Sequence, residues 1–319
     1  MYKQSNMKKT VISLLAMLVS VAAFSQRVES VGSSSHTVIY EYKINTLDEE
    51  GKPVTDVCEL VVQAAGKVTK CMPMINYLRQ KGLVTDGDIW GDKVKGTPFL
   101  RAHADITRMH LPIVFTGYPK GKVTTQEMIV PHLYISTDKY RKPQWKLGKD
   151  TQTIDGHLCH AATVVYAGKT WHVWYTQDAG ISAGPWKLQG LKGLIVSASD
   201  EEGIHSFRMK EVREEQLPIL YHGDEWEHHA STKAMKIIRK TPEEMVAFRD
   251  SLFGNDKYIQ YPLYYEDEET LYKYAQPVLF ARDLPEESFR QVCWNYYYVR
   301  LDGRKIRCFG RKYQPLELK

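Results

Sequence analysis

The sequence predicts a mainly β protein: a curled or half-open antiparallel sheet with a C-terminal helix packed on it, α+β overall. Three observations predict it. Short segments with apolar residues at every second position recur from residue 36 to about residue 215, separated by Gly- and Asp-containing turns. No helical segments alternate with them, as the parallel sheet of a βαβ protein would require. One strong helix start, Thr241-Pro242-Glu243-Glu244, stands beyond the strands, with Thr241 as N-cap, proline at the first helical position and a glutamate three residues after the cap.

The chain has 319 residues, opens with Lys8 and Lys9 beside Met7, and runs through an apolar stretch from Val11 to Phe24 to Ala23-Phe24-Ser25. A basic start, a short apolar run and a small-residue cleavage site define a secretory leader, here residues 1–25. The junction residue is Gln26, so it offers no thiol for a lipid anchor. The leader carries Lys3, Lys8 and Lys9 and no acid, so the formal charge of +5 falls to +2 on cleavage. Lysine and arginine are interspersed with aspartate and glutamate, which argues against nucleic acid and against an anionic membrane surface as partners. The expectation is an exported protein of the periplasm or cell surface.

The mature chain then divides into a β-rich domain, residues 26–255, and a Tyr-rich extension, residues 256–319. In "HTVIYEYKIN" Val38, Tyr40, Tyr42 and Ile44 share one face of a half-buried strand. The segments "VTDVCELVVQ", "HLPIVFTGY", "KVTTQEMIV", "TIDGHLCHAATVVY", "TWHVWYT", "GLIVSA" and "GIHSFRMKEV" continue the pattern, with Ala167-Gly168-Lys169 as a tight loop and a helical turn near Met74 to Gln80. After Thr241, residues Met245, Phe248 and Leu252 give the helix one apolar face for the sheet to cover. In the extension, "NYYYVRLDGRKIRCFG" reads as a hairpin, and the extension forms either a sub-domain or an edge of the sheet.

Five cysteines, at 58, 71, 159, 293 and 308, are an odd number for an oxidising compartment, so at least one is unpaired within the chain. Cys58 and Cys71 face each other if Gln63 to Gly66 form a four-residue hairpin loop. A two-residue Ala65-Gly66 loop sets Cys58 opposite Pro73 and forbids the bridge. An Asp302-Gly303 turn places Cys308 opposite Tyr297, so a Cys293–Cys308 bridge needs Cys293 to lie outside that ladder.

The segment "GPWKLQGLKGLIV", residues 184–196, combines glycines that can take positive φ or admit a close backbone, Gly184, Gly190 and Gly193, with a rigid Pro185 and a large apolar anchor, Trp186. It reads as a tight crossing between two strands, pinned by an aromatic. Together with Trp145, Leu147, "TQTIDGHLCHAAT", Gly168, "WHVWYT", Asp200, Gly203 and Phe207, it resembles the GLPGLI family, exported proteins of Bacteroidetes-type bacteria. The resemblance covers about residues 144–210, and Lys192 departs from the proline of the family's name. It implies an exported protein of unknown molecular function and brings no site residues with it.

Candidate chemistry is sparse. "GISAG" matches the G-x-S-x-G pattern around Ser182, but that pattern exposes a nucleophile only on a strand-turn-helix, and here Pro185 follows in a β context. In "GHLCH" alternation separates His157 and Cys159 from His160, and the simpler reading of Cys159 is a small buried residue. His222, Asp224, His228 and His229 in "YHGDEWEHHA" could surround a metal ion, without the spacing of a known zinc motif, and a solvated polar loop is the simpler reading. Trp171, Trp174, Tyr175 and Trp186 could line an apolar cavity or could all be core residues.

No catalytic constellation and no cofactor site is expected. The functional expectation is a non-catalytic binding or carrier scaffold for a hydrophobic small molecule or lipid, in outline like periplasmic lipoprotein carriers. The alternative is a structural or protein-interaction component of the envelope, and metal binding comes third. The leader makes the first testable prediction: the mature protein recovered from the envelope fraction starts at or near Gln26 by N-terminal sequencing or intact mass, and an intact Met1 or Met7 there contradicts it.

Overall fold

The computed structural model describes residues 29–47, 51–83, 111–129, 132–221, 237–253, 258–264, 275–281, 307–308 and 312–318. The first strands are β1 (Glu29–Ser33), β2 (His36–Leu47), β3 (Pro53–Ala65) and β4 (Val68–Pro73), followed by helix α1 (Met74–Gln80). Then come β5 (Ile113–Thr116), β6 (Lys122–Ile129), β7 (His132–Lys139), β8 (Lys146–Ile154), β9 (His157–Tyr166) and β10 (Lys169–Thr176). β11 (Leu194–Asp200), β12 (His205–Glu214), β13 (Pro218–Tyr221) and β14 (Ile237–Lys240) precede helix α2 (Pro242–Phe253). β15 (Tyr258–Tyr264), β16 (Ala275–Ala281) and β17 (Arg307–Cys308) form a separate three-stranded sheet.

Twelve strands make the main sheet, in the order β14-β7-β6-β5-β4-β3-β2-β12-β11-β10-β9-β8. Every pair in it is antiparallel except β7–β14 at the edge, which is parallel. The sheet is open, and it curls. The backbone N–H of Trp186 donates to Cys71 Sγ on β4 at 3.2 Å, while its ring lies 5.8 Å from that of Trp171 on β10. β4 and β10 are five strand spacings apart, about 24 Å in a flat sheet. One residue reaches both only because the sheet wraps around it.

The concave face carries the core. On β2, Val38, Tyr40, Tyr42 and Ile44 are all buried there, at the period of two that the sequence shows. Their neighbours are Leu60 and Val62 on β3, Ala162 and Val164 on β9, Trp171 and Val173 on β10, Ala198 on β11 and Phe207 on β12. The convex face is covered over its centre as well. Val61 and Met72 pack under Tyr77 of α1, and the β1–β13 pair flanks them.

Helix α2 begins as its sequence dictates. Glu244 N–H donates to Thr241 Oγ1 at 3.1 Å and Thr241 N–H donates to Glu244 Oε2 at 2.8 Å, a reciprocal capping box. Met245 is buried against Tyr134 of β7, with Phe248 packed beside it. The side chain of Leu252 lies outside the described residues.

The hairpin between β3 and β4 corrects both expected registers. Ala65 pairs with Val68 across a Gly66-Lys67 turn in which Gly66 takes φ +56°, so Cys71 faces Val62 and Cys58 faces Tyr42 of β2. Cys71 thus lies opposite a residue four positions along β3 from Cys58, which removes the bridge, and Cys58, Cys71 and Cys159 are all free thiols. The expected loop after β9 is a two-residue turn at Ala167 and Gly168, both with positive φ. The expected hairpin of the extension lies outside the described residues apart from β17. Residues 312–318 return to the main sheet.

One row across the convex face is polar on three strands: Thr37, Gln63 and Lys70 are register neighbours on β2, β3 and β4, and Phe115 on β5 ends the row. Lys70 is 2% exposed. Its ammonium donates to Gln80 Oε1 at 3.0 Å and to the Leu220 carbonyl at 2.9 Å, and lies over the Phe115 ring, with no carboxylate in contact among the described residues. Burial lowers its pKa to about 7. A folded pKa below the unfolded one means that the unfolded chain binds more protons between those two values, so Lys70 makes stability rise from about pH 7 to about pH 10. Lys70→Met should abolish that part of the pH dependence. Denaturant midpoints of parent and variant should diverge in the parent's favour by on the order of 1 kcal/mol per pH unit across that window, and parallel profiles would contradict the assignment.

Candidate functional site

Between β10 and β11 the chain leaves the sheet and turns into its concave side. Residues 184–193 form a compact loop whose ends are pinned together: Ala183 N–H donates to the Gly193 carbonyl at 3.2 Å, and Ile195 N–H to the Ala183 carbonyl at 2.9 Å. Gln189 Nε2 closes the loop onto the Gly184 carbonyl, and Trp145 Nε1 donates to the Gln189 carbonyl at 2.9 Å. Trp186, Leu188 and Leu191 are buried in the shared core, so the loop is a plug that fills the space the sheet encloses.

Sterics explain its glycines. A Cβ on Gly184 would overlap the Leu188 carbonyl, and one on Gly193 would overlap the Thr176 carbonyl at a φ of +152°. Gly190 takes φ +96°, but its added Cβ would meet only the flexible Lys142 side chain and Tyr140 Oη. Trp186 itself sits at φ +51°, a costly conformation for an aromatic residue. Its N–H···Sγ bond to Cys71 and its packing against Trp171 and Tyr166 hold it there.

The aromatic group divides. Trp171, Tyr175 and Trp186 are buried on the concave side, with the Trp171 ring beside Phe207 and His205. Trp174 is half-buried and, by strand alternation, lies on the opposite face from Trp171 and Tyr175. Trp174 still packs against the same core as the other three, and Trp171 has no exposed surface at all. Its indole N–H is nevertheless buried with no hydrogen-bond acceptor among the described residues. An orphan of that kind costs about 1–3 kcal/mol.

A second irregular segment crosses the end of the sheet beside this cluster. In the strap, residues 312–318, Lys312 N–H donates to the Leu47 carbonyl at 2.8 Å and Leu318 N–H to the Ala167 carbonyl at 2.9 Å. Between these anchors the Pro315 carbonyl accepts from His205 Nε2 at 3.1 Å. A carbonyl only accepts, so Nε2 carries the proton and Nδ1 accepts from Tyr42 Oη at 2.8 Å. Burial holds His205 neutral, with its pKa lowered to about 4. The His205 N–H binds Asp200 Oδ1, whose other oxygen pairs with the buried Lys169 at 3.1 Å.

Plug, strap, helix and sheet meet at four charges of alternating sign. Lys187 Nζ of the plug lies 2.7 Å from Glu317 Oε1 of the strap, Glu317 Oε2 is 3.0 Å from Arg249 of α2, and Arg249 is 2.9 Å from Glu127 Oε1 of β6. Their side chains are 10%, 17%, 7% and 6% exposed in that order. Burial pushes the Glu127 carboxyl up against the opposing pull of Arg249. Burial pushes Glu317 the same way, but Lys187 and Arg249 together outweigh it and hold that carboxyl below its usual range.

Of the other sequence candidates, Ser182 lies in the irregular segment before the plug with no helix after it, so no nucleophile elbow forms. His157 and Cys159 sit on β9, where Cys159 is buried and faces Thr176, while His160 faces Tyr175. His222, Asp224, His228 and His229 lie outside the described residues. Among the described residues no group of three His, Cys, Asp or Glu could hold a metal, and no helix is long and apolar enough to cross a membrane. The strap's charge cluster had no counterpart in the sequence reading, because its four members span 191 positions of chain.

Residues 122–221 match the family described as N-glycanase peptide, N-terminal domain. No curated protein matches. A solved structure of PNGF-II aligns with 74% of this chain at 14% identity and a TM-score of 0.41, and a second crystal form of it with 72% at 15% and 0.38. The alignment spans 35% of the PNGF-II chain. A LolA superfamily protein from Nitrosomonas europaea aligns over 58% of this chain and 88% of its own at 7% identity and a TM-score of 0.23. TM-scores below 0.5 do not establish a shared fold.

The plug makes the third prediction. Gly184→Ala and Gly193→Ala should each destabilise the protein by on the order of 1–3 kcal/mol, because backbone must move. Gly190→Ala should cost less, since the nearest atoms to its added Cβ belong to flexible side chains and the positive φ is left as the main strain. Urea midpoints check the order, and equal costs at all three positions would contradict the backbone explanation.

Proposed function

We propose that the chain is an exported, non-catalytic binding scaffold of the GLPGLI group, working in the periplasm or at the cell surface on a hydrophobic ligand. One observation carries this reading. The concave face of the sheet is covered not by a second regular layer but by two irregular segments of the same chain, the plug and the strap, with an orphan indole N–H beneath them. Irregular covers with few main-chain bonds open at lower free energy than sheet or helix layers. Opening here uncovers aromatic surface together with a donor that seeks an acceptor. The matched family's name refers to an N-glycanase, and the PNGF-II alignment spans about a third of that protein. We assign this chain a binding role and not that activity.

A second reading, a structural or interaction component of the envelope, is favoured by the complete burial of Trp171 in a filled core. A fluorescence titration of the mature protein with N-phenyl-1-naphthylamine separates the two. The carrier reading expects saturable binding with energy transfer from tryptophan, weakened by Trp171→Phe. Probe fluorescence that rises without saturation, as from scattered surface contacts, transfers support to the interaction reading.

A further inference from the structure

The charge cluster places a carboxylate where a ligand's carboxylate would fit. Two buried cations from separate parts of the chain, Lys187 of the plug and Arg249 of α2, each take one oxygen of Glu317, at 2.7 and 3.0 Å. The Lys187 ammonium also lies over the Trp186 ring, 5.6 Å from its centroid, and that ring packs on Trp171. The clamp is thus the polar end of the aromatic cluster. The carboxylate's chain neighbour, Leu316, is buried in the same core. Glu317 and Leu316 together present an anionic head beside an apolar body, the polarity pattern of a fatty acid. Independently of the clamp, the buried Trp171 N–H has no acceptor.

We propose that Lys187 and Arg249 form a binding site for the carboxylate of an anionic amphiphile such as a fatty acid, and that Glu317 is its resident occupant in cis. The proposal rests on the hydrophobic-ligand reading above and names the ligand's headgroup. The strap can yield the site because it is irregular and joins no strand ladder: two main-chain N–H bonds, the Thr46 Oγ1 bond to the Lys312 carbonyl and the His205 contact tie its backbone to the sheet end. Its Leu318 lies directly over Gly168, where any side chain would collide with it. An incoming carboxylate replaces the Glu317 carboxylate on the same two cations, so the exchange leaves no buried charge unpaired. The acyl chain then follows Trp186 toward Trp171.

The test uses the full mature chain and three probes, decanoate, decan-1-ol and acetate, followed by calorimetry and tryptophan emission. Glu317→Gln weakens the resident occupant, so decanoate should bind this variant about ten-fold more tightly than it binds the parent. Adding Lys187→Met should return decanoate to the level of decan-1-ol, and acetate should bind far more weakly than decanoate throughout. If Glu317→Gln does not fold, by circular dichroism, Leu318→Ser loosens the strap with all four charges intact and should give the same tightening. Equal binding of decanoate and decan-1-ol in every variant overturns the carboxylate site while leaving a hydrophobic-ligand site standing. Acetate binding as tightly as decanoate overturns the amphiphile. Failure of both long-chain probes in every variant removes the hydrophobic-ligand reading as well.

Discussion

The alternating line of charges from Lys187 through Glu317 and Arg249 to Glu127 is the contact on which the arrangement of the covers depends. It joins the plug, the strap, the helix and the sheet at one place, and among the described residues no apolar cluster includes all four. Buried ion pairs contribute little net stability, because desolvation offsets most of their attraction, yet losing one member strands its partner at a cost of about 3–5 kcal/mol. Such a line therefore works less as glue than as a rule of assembly. The plug reaches its place with its charge satisfied only when the strap and the helix are also in place.

The need for covers follows from the sheet. A sheet of this many strands that curls without closing leaves a concave surface too large for the side chains of its own strands to fill. Among the described residues the one long helix, α2, is spent at the β7 edge, where Met245 meets Tyr134. The chain fills the remainder with the loop between β10 and β11. A tight loop inside a core must satisfy its own backbone, which is why Gln189 and Trp145 bond to its carbonyls and why Gly184 and Gly193 approach neighbouring backbone where no Cβ fits. The left-handed Trp186 is the local cost of turning a large ring inward.

Much of this was legible in the sequence where the signal was local. The period of two in Val38, Tyr40, Tyr42 and Ile44, the capping box at Thr241 and Glu244, and the Ala167-Gly168 turn each depend on residues within a few positions of one another. The register of β3 on β4 was not, because Gly66 can serve as the first residue of a turn as readily as the last, and its place together with the length of the loop decides whether Cys71 meets Cys58, Leu60 or Val62. The charge line was invisible for a different reason: Glu127, Lys187, Arg249 and Glu317 are ordinary surface residue types, and only the curl of the sheet and the return of the C-terminal segment bring them together.

Lys70 and Lys187 show how the same residue type serves two purposes in one fold. Lys70 is buried on the convex face with amide and carbonyl acceptors and no carboxylate among the described residues, and burial shifts the lysine toward the neutral form. Lys187 is buried against Glu317 and holds a second segment in place. The first arrangement is complete within regular structure and gives the fold nothing to exchange. In the second, the partner carboxylate belongs to an irregular strap that closes over an unsatisfied donor, so the charge pairing and the cover can be released together. A cation whose counterion can leave without dismantling a strand is a different physical object from one enclosed by the sheet, and that difference separates the proposed binding end of this molecule from its scaffold.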